Sequence, residues 1–261
     1  MWARRGIEGQ QMSVPAIEVR GLTKSFGSLP VAQAIDLTLA PGARAALIGP
    51  NGAGKTTFVN LLTGRLRADA GTVSLHGQPI DALSPARRVQ RGLVRTHQIN
   101  TLLSETSARE NVALAIAERD GCAWNMLRYA RSWTACLDEA DARLASMGFG
   151  ARADEAAGHL PYGLQRLLEI AIAISLKPRV LLLDEPAAGV PSGETHAIHD
   201  AIDHLPTQTA VLMIEHDMDM VFRFAREIIV LVQGRVLTRG RPDEITANAE
   251  VRTVYLGRSR S

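Results

Sequence analysis

Gly49-Pro50-Asn51-Gly52-Ala53-Gly54-Lys55-Thr56 fills every fixed position of the phosphate-binding pattern G-x-x-x-x-G-K-[ST]. Glycines let backbone N–H groups curl around phosphate oxygens, and a following helix adds the positive end of its dipole. Lys55 is placed to reach the β- and γ-phosphates of a nucleoside triphosphate, Thr56 to lend its hydroxyl to Mg²⁺, and Thr57 continues the same turn. Much later in the chain, Asp184-Glu185 closes the apolar run Val180-Leu181-Leu182-Leu183. An aspartate at a strand tip can hold Mg²⁺ through its water shell, and the glutamate beside it can polarise an attacking water. Gln98, behind Val94-Arg95-Thr96-His97, carries an amide that can sense Mg²⁺ or the γ-phosphate, and His216, in Ile214-Glu215-His216-Asp217, can donate a hydrogen bond to that phosphate. The chemistry these groups compose is in-line hydrolysis of a triphosphate.

Such groups need a rigid frame. Ala45-Ala46-Leu47-Ile48 reads as a buried strand before the loop and Thr57-Phe58-Val59-Asn60-Leu61-Leu62 as a helix after it. Ile17-Glu18-Val19 and the alternation over 34–39 predict half-buried antiparallel strands that stop at Pro41-Gly42, and 71–77 predicts another. Ser84 and Pro85 open a helix towards Gly92. The stretch from about 105 to 175 is helix-rich, with no strand pattern. Continuous apolar runs at 180–183 and 210–214 read as central parallel strands, alternating with helices over 193–204 and 217–225. A hairpin through Gln233-Gly234 and a short helix near 242–247 complete a right-handed α/β core.

With 261 residues and 46% hydrophobic content, the chain can bury a sizeable core. Its 29 Lys and Arg are scattered among 27 acids, for a net charge of +2, which argues against nucleic acid as a primary partner. No apolar run approaches the roughly 18 residues that cross a bilayer, and the opening Met1-Trp2-Ala3-Arg4-Arg5 lacks a secretory core. Cys122 and Cys136 are too few and wrongly spaced for a metal knuckle or a disulfide framework, so reduced thiols are expected. Residues 1–14 read as a flexible polar leader, with Met12 a second possible start.

In serial order, Phe26, the loop at 49–56, Gln98, Leu160-Pro161-Tyr162-Gly163-Leu164-Gln165, Asp184-Glu185 and His216 resemble the ATP-binding cassette ATPases over residues 16–257. The resemblance implies a P-loop fold of the RecA type: a core over 15–98 and 177–257 with an N-terminal antiparallel β subdomain, and an inserted helical subdomain over 99–176. It implies ATP and Mg²⁺ as cofactors, Phe26 stacked on adenine, and Tyr162 and Gly163 in a signature segment that meets the γ-phosphate bound by an opposite cassette. Val94-Arg95-Thr96, Gln165-Arg166-Leu167-Leu168-Glu169-Ile170-Ala171 and Leu183-Asp184-Glu185-Pro186-Ala187-Ala188-Gly189 are similar to the cassettes that energise bacterial uptake of branched-chain amino acids, as are Val254-Tyr255-Leu256-Gly257 and the helical stretch near 121–135. That likeness implies a second cassette of the same or a different chain, two membrane permeases, a solute-binding protein, and a peripheral position on the cytoplasmic face of the plasma membrane. A hydrolytically weak cassette in a heteromer and a nucleic-acid-related cassette are the alternatives.

Pro161 departs from the family, which usually has serine there, and removes a hydroxyl and a backbone N–H. Leu164, Pro191 and His97 also replace more usual residues. His196, His199, Asp200, Asp203 and His204 recur at helical spacing but oppose the stripe Ala197, Ile198, Ala201, Ile202 and Leu205, so a solvated face is expected rather than a metal site. Trp124, Leu127, Ala130 and Trp133 form an amphipathic run that is expected to pack on the helical lobe. Met213, Met218 and Met220 read as core filler.

Overall fold

The computed structural model describes residues 14–96, 102–122, 126–191 and 195–256. β1 (Ile17–Phe26) and β2 (Leu29–Leu39) pair antiparallel, and β3 (Arg44–Ile48) then leaves for a second sheet. β4 (Ala70–Leu75) and β5 (Gln78–Pro79) complete the first sheet in the order β2-β1-β4-β5. The second sheet adds β6 (Leu93–Arg95), β7 (Val180–Asp184), β8 (Ala210–Ile214), β9 (Glu227–Val232) and β10 (Arg235–Gly240), in the order β10-β9-β3-β8-β7-β6. All its neighbours run parallel except the terminal hairpin of β9 and β10.

The parallel strands are covered on both faces, which is why they read as unbroken apolar runs. Val180 and Leu182 of β7 pack with Phe58, Leu61 and Leu62 of α1 (Lys55–Leu62) and with the antiparallel sheet. Leu181 and Leu183 point the other way, to α5 (Tyr162–Ser175) and α6 (Thr195–Asp203). Each such leucine contributes about 1.5–3 kcal/mol by leaving water. A third cluster joins β3 and β9 to α7 (Met218–Phe224), α8 (Pro242–Ala247) and α9 (Ala249–Leu256).

Helix ends follow local chemistry. Ser84 caps α2 (Pro85–Gln90), its hydroxyl accepting from Arg87 N–H at 3.4 Å with Pro85 at the first turn. Ser107 and Glu110 form a reciprocal capping box on α3 (Ala108–Arg119). Arg88 is buried against the end of α1, donating to the carbonyls of Leu61 at 3.0 Å, Leu62 at 2.6 Å, Asp81 at 3.1 Å and Leu83 at 3.2 Å. Burial pushes its pKa down, yet the four carbonyls hold the cation and clamp the helix whose other end carries the phosphate loop.

The helical stretch expected near 121–135 is longer: α4 runs from Met126 to Ser146, and Cys136, Ala140 and Leu144 bury its i, i+4 face. Trp133 packs against the same cluster, whereas Trp124 and the side chains of Leu127 and Ala130 lie outside the described residues. Both cysteines are buried and free, and desolvation raises the Cys136 thiol. On α6 the apolar stripe is Ile198, Ala201 and Ile202, continued just past its end by Leu205; Ala197 is exposed, a correction, because those residues already fill the width a helix presents to its core. His204 Nδ1 lies 2.6 Å from the Asp200 carbonyl and Asp203 bonds Arg223 at 3.4 Å. Among the described residues no His, Cys, Asp and Glu group is arranged to hold a metal.

Candidate active site

The loop joins the end of β3 to α1, so its backbone N–H groups sit at a helix start. Two of its glycines answer to the wall behind the loop. A Cβ on Gly49 would lie 2.2 Å from the Leu231 carbonyl oxygen, and one on Gly54 2.6 Å from that of Val31. Gly52, at φ +77°, meets nothing and serves the turn alone. The Ala53 carbonyl accepts from Gly234 N–H at 2.9 Å, and the Gly234 carbonyl accepts from Gln33 N–H at 2.8 Å, which ties the loop to both sheets. Lys55 Nζ lies across the mouth, donating to the Gly49 carbonyl at 2.5 Å and the Pro50 carbonyl at 3.2 Å. Desolvation lowers its pKa, opposed by the charges of Glu185 and then Asp184. Asn51, Gly52 and Thr56 are exposed along this edge.

Asp184 ends β7, with its N–H donating to Thr96 Oγ1 at 3.2 Å and its Oδ2 taken by Arg95 Nη2. Arg95 Nη1 donates to Asn60 Oδ1 of α1 at 2.8 Å. Glu185 follows in a left-handed conformation at φ 47°, which costs a non-glycine residue roughly 1–2 kcal/mol. Its N–H bonds the Ile214 carbonyl at 2.9 Å, so the turn is pinned to the end of β8 while the carboxylate stays exposed. His216 Nδ1 is 3.7 Å from Glu185 Oε1 and 3.7 Å from Glu215 Oε2.

Glu215 supports this corner and had no sequence signal of its own. Only 2% exposed, it accepts from the N–H groups of His216 at 2.9 Å and Asp217 at 3.3 Å. Desolvation raises its pKa against those two bonds. Asp217 in turn caps α7, accepting from Asp219 N–H at 2.9 Å and Met220 N–H at 3.3 Å. Bonds on both sides thus fix the backbone at His216, and its ring stays exposed to a ligand with Nδ1 facing the carboxylates of Glu185 and Glu215.

Phe26 is 51% exposed at the end of β1, with Lys24 Nζ 5.8 Å from its ring centroid. Tyr162 opens α5, donating its hydroxyl to the Ala188 carbonyl at 3.1 Å; a Cβ on Gly189 would stand 3.0 Å from that hydroxyl oxygen. Gly163 is buried. Pro161 is the N-cap and supplies no side-chain bond to the first turn. Gln98 and His97 lie outside the described residues. Lys55, Asp184, Glu185 and His216 are thus linked by charge or distance, whereas Phe26, Tyr162 and Gly163 stand apart on other elements.

The donor set fits a Mg²⁺–triphosphate: hard oxygens from Thr56 and Asp184, an ammonium over the loop, and a glycine-bordered cradle closed from behind by backbone. The family model described as ABC transporter matches residues 32–188. The chain is 38% identical over 253 residues to the high-affinity branched-chain amino acid transport ATP-binding protein LivG of Escherichia coli K12, covering 94% of this chain and 99% of that one. It is also 38% identical over 255 residues to the equivalent protein BraF of Pseudomonas aeruginosa, with the same coverage. The crystal structure of a nucleotide-free ATP-binding cassette from an ABC transporter superposes with a TM-score of 0.78 at 27% identity, over 92% of this chain and 98% of that one. Loop, strand-tip acids and fold agree: the chain belongs to the ABC transporter family, as one of its ATP-binding and ATP-hydrolysing cassettes.

Proposed function

We propose that this chain energises uptake of branched-chain or other hydrophobic amino acids. It works as one of two cassettes beneath a pair of integral-membrane permeases, with a solute-binding protein delivering cargo. The observation that carries the cargo assignment is end-to-end identity of 38% with an ATP-binding protein of branched-chain amino acid transport. Among the described residues no helix is long and apolar enough to cross a membrane, so solute has to pass through other chains. The site is placed at the cytoplasmic face, where ATP is supplied, and the chain divides into a nucleotide core over 15–98 and 177–257 and a helical part over 99–176.

In this reading the loop amides and Lys55 neutralise phosphate charge, the ammonium exchanging its two carbonyl acceptors for phosphate oxygens. Thr56, Asp184 and Gln98 hold Mg²⁺, which when bound supplies charge neutralisation of the β- and γ-phosphates. Glu185 orients water in line with the γ-phosphate, and His216 donates to that phosphate. Phe26 stacks on adenine, and Tyr162 and Gly163 present the start of α5 to the nucleotide of the opposite cassette.

Pro161 supports a second arrangement, a heteromer in which this chain's own α5 is the weaker trans contact. Reconstitution in liposomes with the permeases and binding protein encoded beside this chain tests both readings. Leucine-dependent ATP hydrolysis and leucine uptake are expected. Hydrolysis that ignores leucine, isoleucine and valine, or that responds to RNA or DNA, overturns the assignment.

A further inference from the structure

None of the sequence patterns that picked out the other site groups includes Arg95 as a working residue, yet it is the group that holds Asp184. β6 is the edge strand of its sheet, and alternation with Leu93 puts Arg95 on the α1 side, the side on which Asp184 ends β7 one strand away. Among the described residues the guanidinium is anchored by two side chains, Asp184 Oδ2 on Nη2 and Asn60 Oδ1 on Nη1 at 2.8 Å. Asn60 rides on α1, whose first residue is Lys55. Arg95 and Asp184 are 10% and 20% exposed, and Arg95 Nε is buried with no partner. That donor is therefore unmet, and among the described residues no backbone acceptor fastens this side chain in place.

The geometry points to Arg95 as a resident counter-ion of Asp184, one that the Mg²⁺-bound nucleotide must displace, so that the cation enters only with its triphosphate. This rests on the reading of Asp184 as the Mg²⁺-facing carboxylate. A partly buried carboxylate with no partner would attract any dication; the guanidinium occupies one oxygen and sets a positive charge where the metal has to approach. A triphosphate restores the attraction with its own charge. Because the planar fork bridges β7 and α1 through two bonds, its release also frees Asn60 and with it a side chain of the helix that carries the loop.

The test measures metal binding rather than turnover. In the purified full chain, the Mg²⁺ concentration that half-saturates binding of a fluorescent ATP analogue should fall about 3- to 30-fold in Arg95→Gln. Mn²⁺, followed by electron paramagnetic resonance, should bind this variant without nucleotide while the unmodified chain binds it only with nucleotide. General damage to the site would raise the Mg²⁺ requirement. An unchanged or higher requirement therefore overturns the proposal.

If Arg95→Gln does not fold, the unmodified chain still decides: the restricted Nη–H signals of Arg95 in a ¹⁵N-labelled sample should lose their bonded shifts on addition of Mg²⁺ with a non-hydrolysable ATP analogue. Signals that persist unchanged overturn it. Asp184→Asn separates the two layers. If that variant binds the Mg²⁺–nucleotide as the unmodified chain does, the reading of Asp184 itself fails. If it weakens binding while Arg95→Gln does not tighten it, only the counter-ion role fails.

Discussion

The phosphate loop and the segment that opens α5 both present the start of a helix, and they are finished in opposite ways. Around the loop every accessory group is internal: Lys55 rests on Gly49 and Pro50, Gly234 braces Ala53, and Arg88 clamps the far end of α1. At α5 the N-cap is a proline with no side chain to offer, and an exposed Tyr162 rests on the Ala188 carbonyl, beneath the Arg166 guanidinium 5.6 Å from its ring centroid and over the space at Gly189. The first half is assembled within one chain. The second has first-turn N–H groups with no side-chain cap, a state that favours an outside acceptor. The contrast supports a division of labour in which one cassette binds the nucleotide and another completes it.

Variants that strike one half should leave the other intact. Glu185→Gln should lower kcat about 100- to 10,000-fold while the nucleotide dissociation constant stays within about threefold, as checked by phosphate release and calorimetry. Lys55→Ala should instead weaken nucleotide binding about 10- to 100-fold, since it removes a charge-assisted donor from the phosphates. Equal affinity by calorimetry would separate Lys55 from the nucleotide.

In the second half, Gly189→Ala forces a Cβ towards the Tyr162 hydroxyl at φ +75°. Hydrolysis is expected to drop about three- to tenfold, and stability by about 1 kcal/mol, with nucleotide affinity unmoved. Loss of affinity would mean the two halves are not separable.

Deeper in α5, Glu169 is buried, and desolvation pushes its pKa up to about 7 despite its bond to Arg166 at 3.0 Å. In the unfolded chain this acid ionises near its ordinary value of 4.5. Between those values the unfolded state binds fewer protons, so stability should fall as pH rises from about 4.5 to about 7. The expected loss is on the order of 2–3 kcal/mol. Glu169→Gln should flatten that slope in urea melts at matched pH, and an unchanged slope would place the titration elsewhere. Smallest of all, Pro161→Ser should add about 0.5–1 kcal/mol by capping α5, and raise hydrolysis a few-fold. A stabilised variant with unaltered turnover would show that the missing hydroxyl limits folding alone.

The same contrast explains what the sequence made legible. Lys55, Asp184 and Glu185 could be read because a fixed loop spacing and an apolar run ending in acid are local patterns. The hairpin at Gln233-Gly234 and the helix at 242–247 were equally local. Arg95 could not be read, since its partners Asn60 and Asp184 come from other elements; Glu215 could not, since no local pattern says that an acid just past β8 turns inward onto the N–H groups of His216 and Asp217. The sequence pattern ties the loop glycines to the ligand, whereas Gly49 and Gly54 are required by carbonyls of Leu231 and Val31, contacts visible only in three dimensions. The box at Ser107 and Glu110 rests on a local S-x-x-E spacing.

A crystal structure of Glu185→Gln soaked with Mg²⁺–ATP tests the central claim most directly. The account predicts the triphosphate on the amides of residues 49–56, Lys55 Nζ moved off the Gly49 and Pro50 carbonyls onto phosphate oxygens, and the residue 185 side chain beside the γ-phosphate. A nucleotide bound elsewhere, or Lys55 still resting on those two carbonyls with the triphosphate in place, would contradict it.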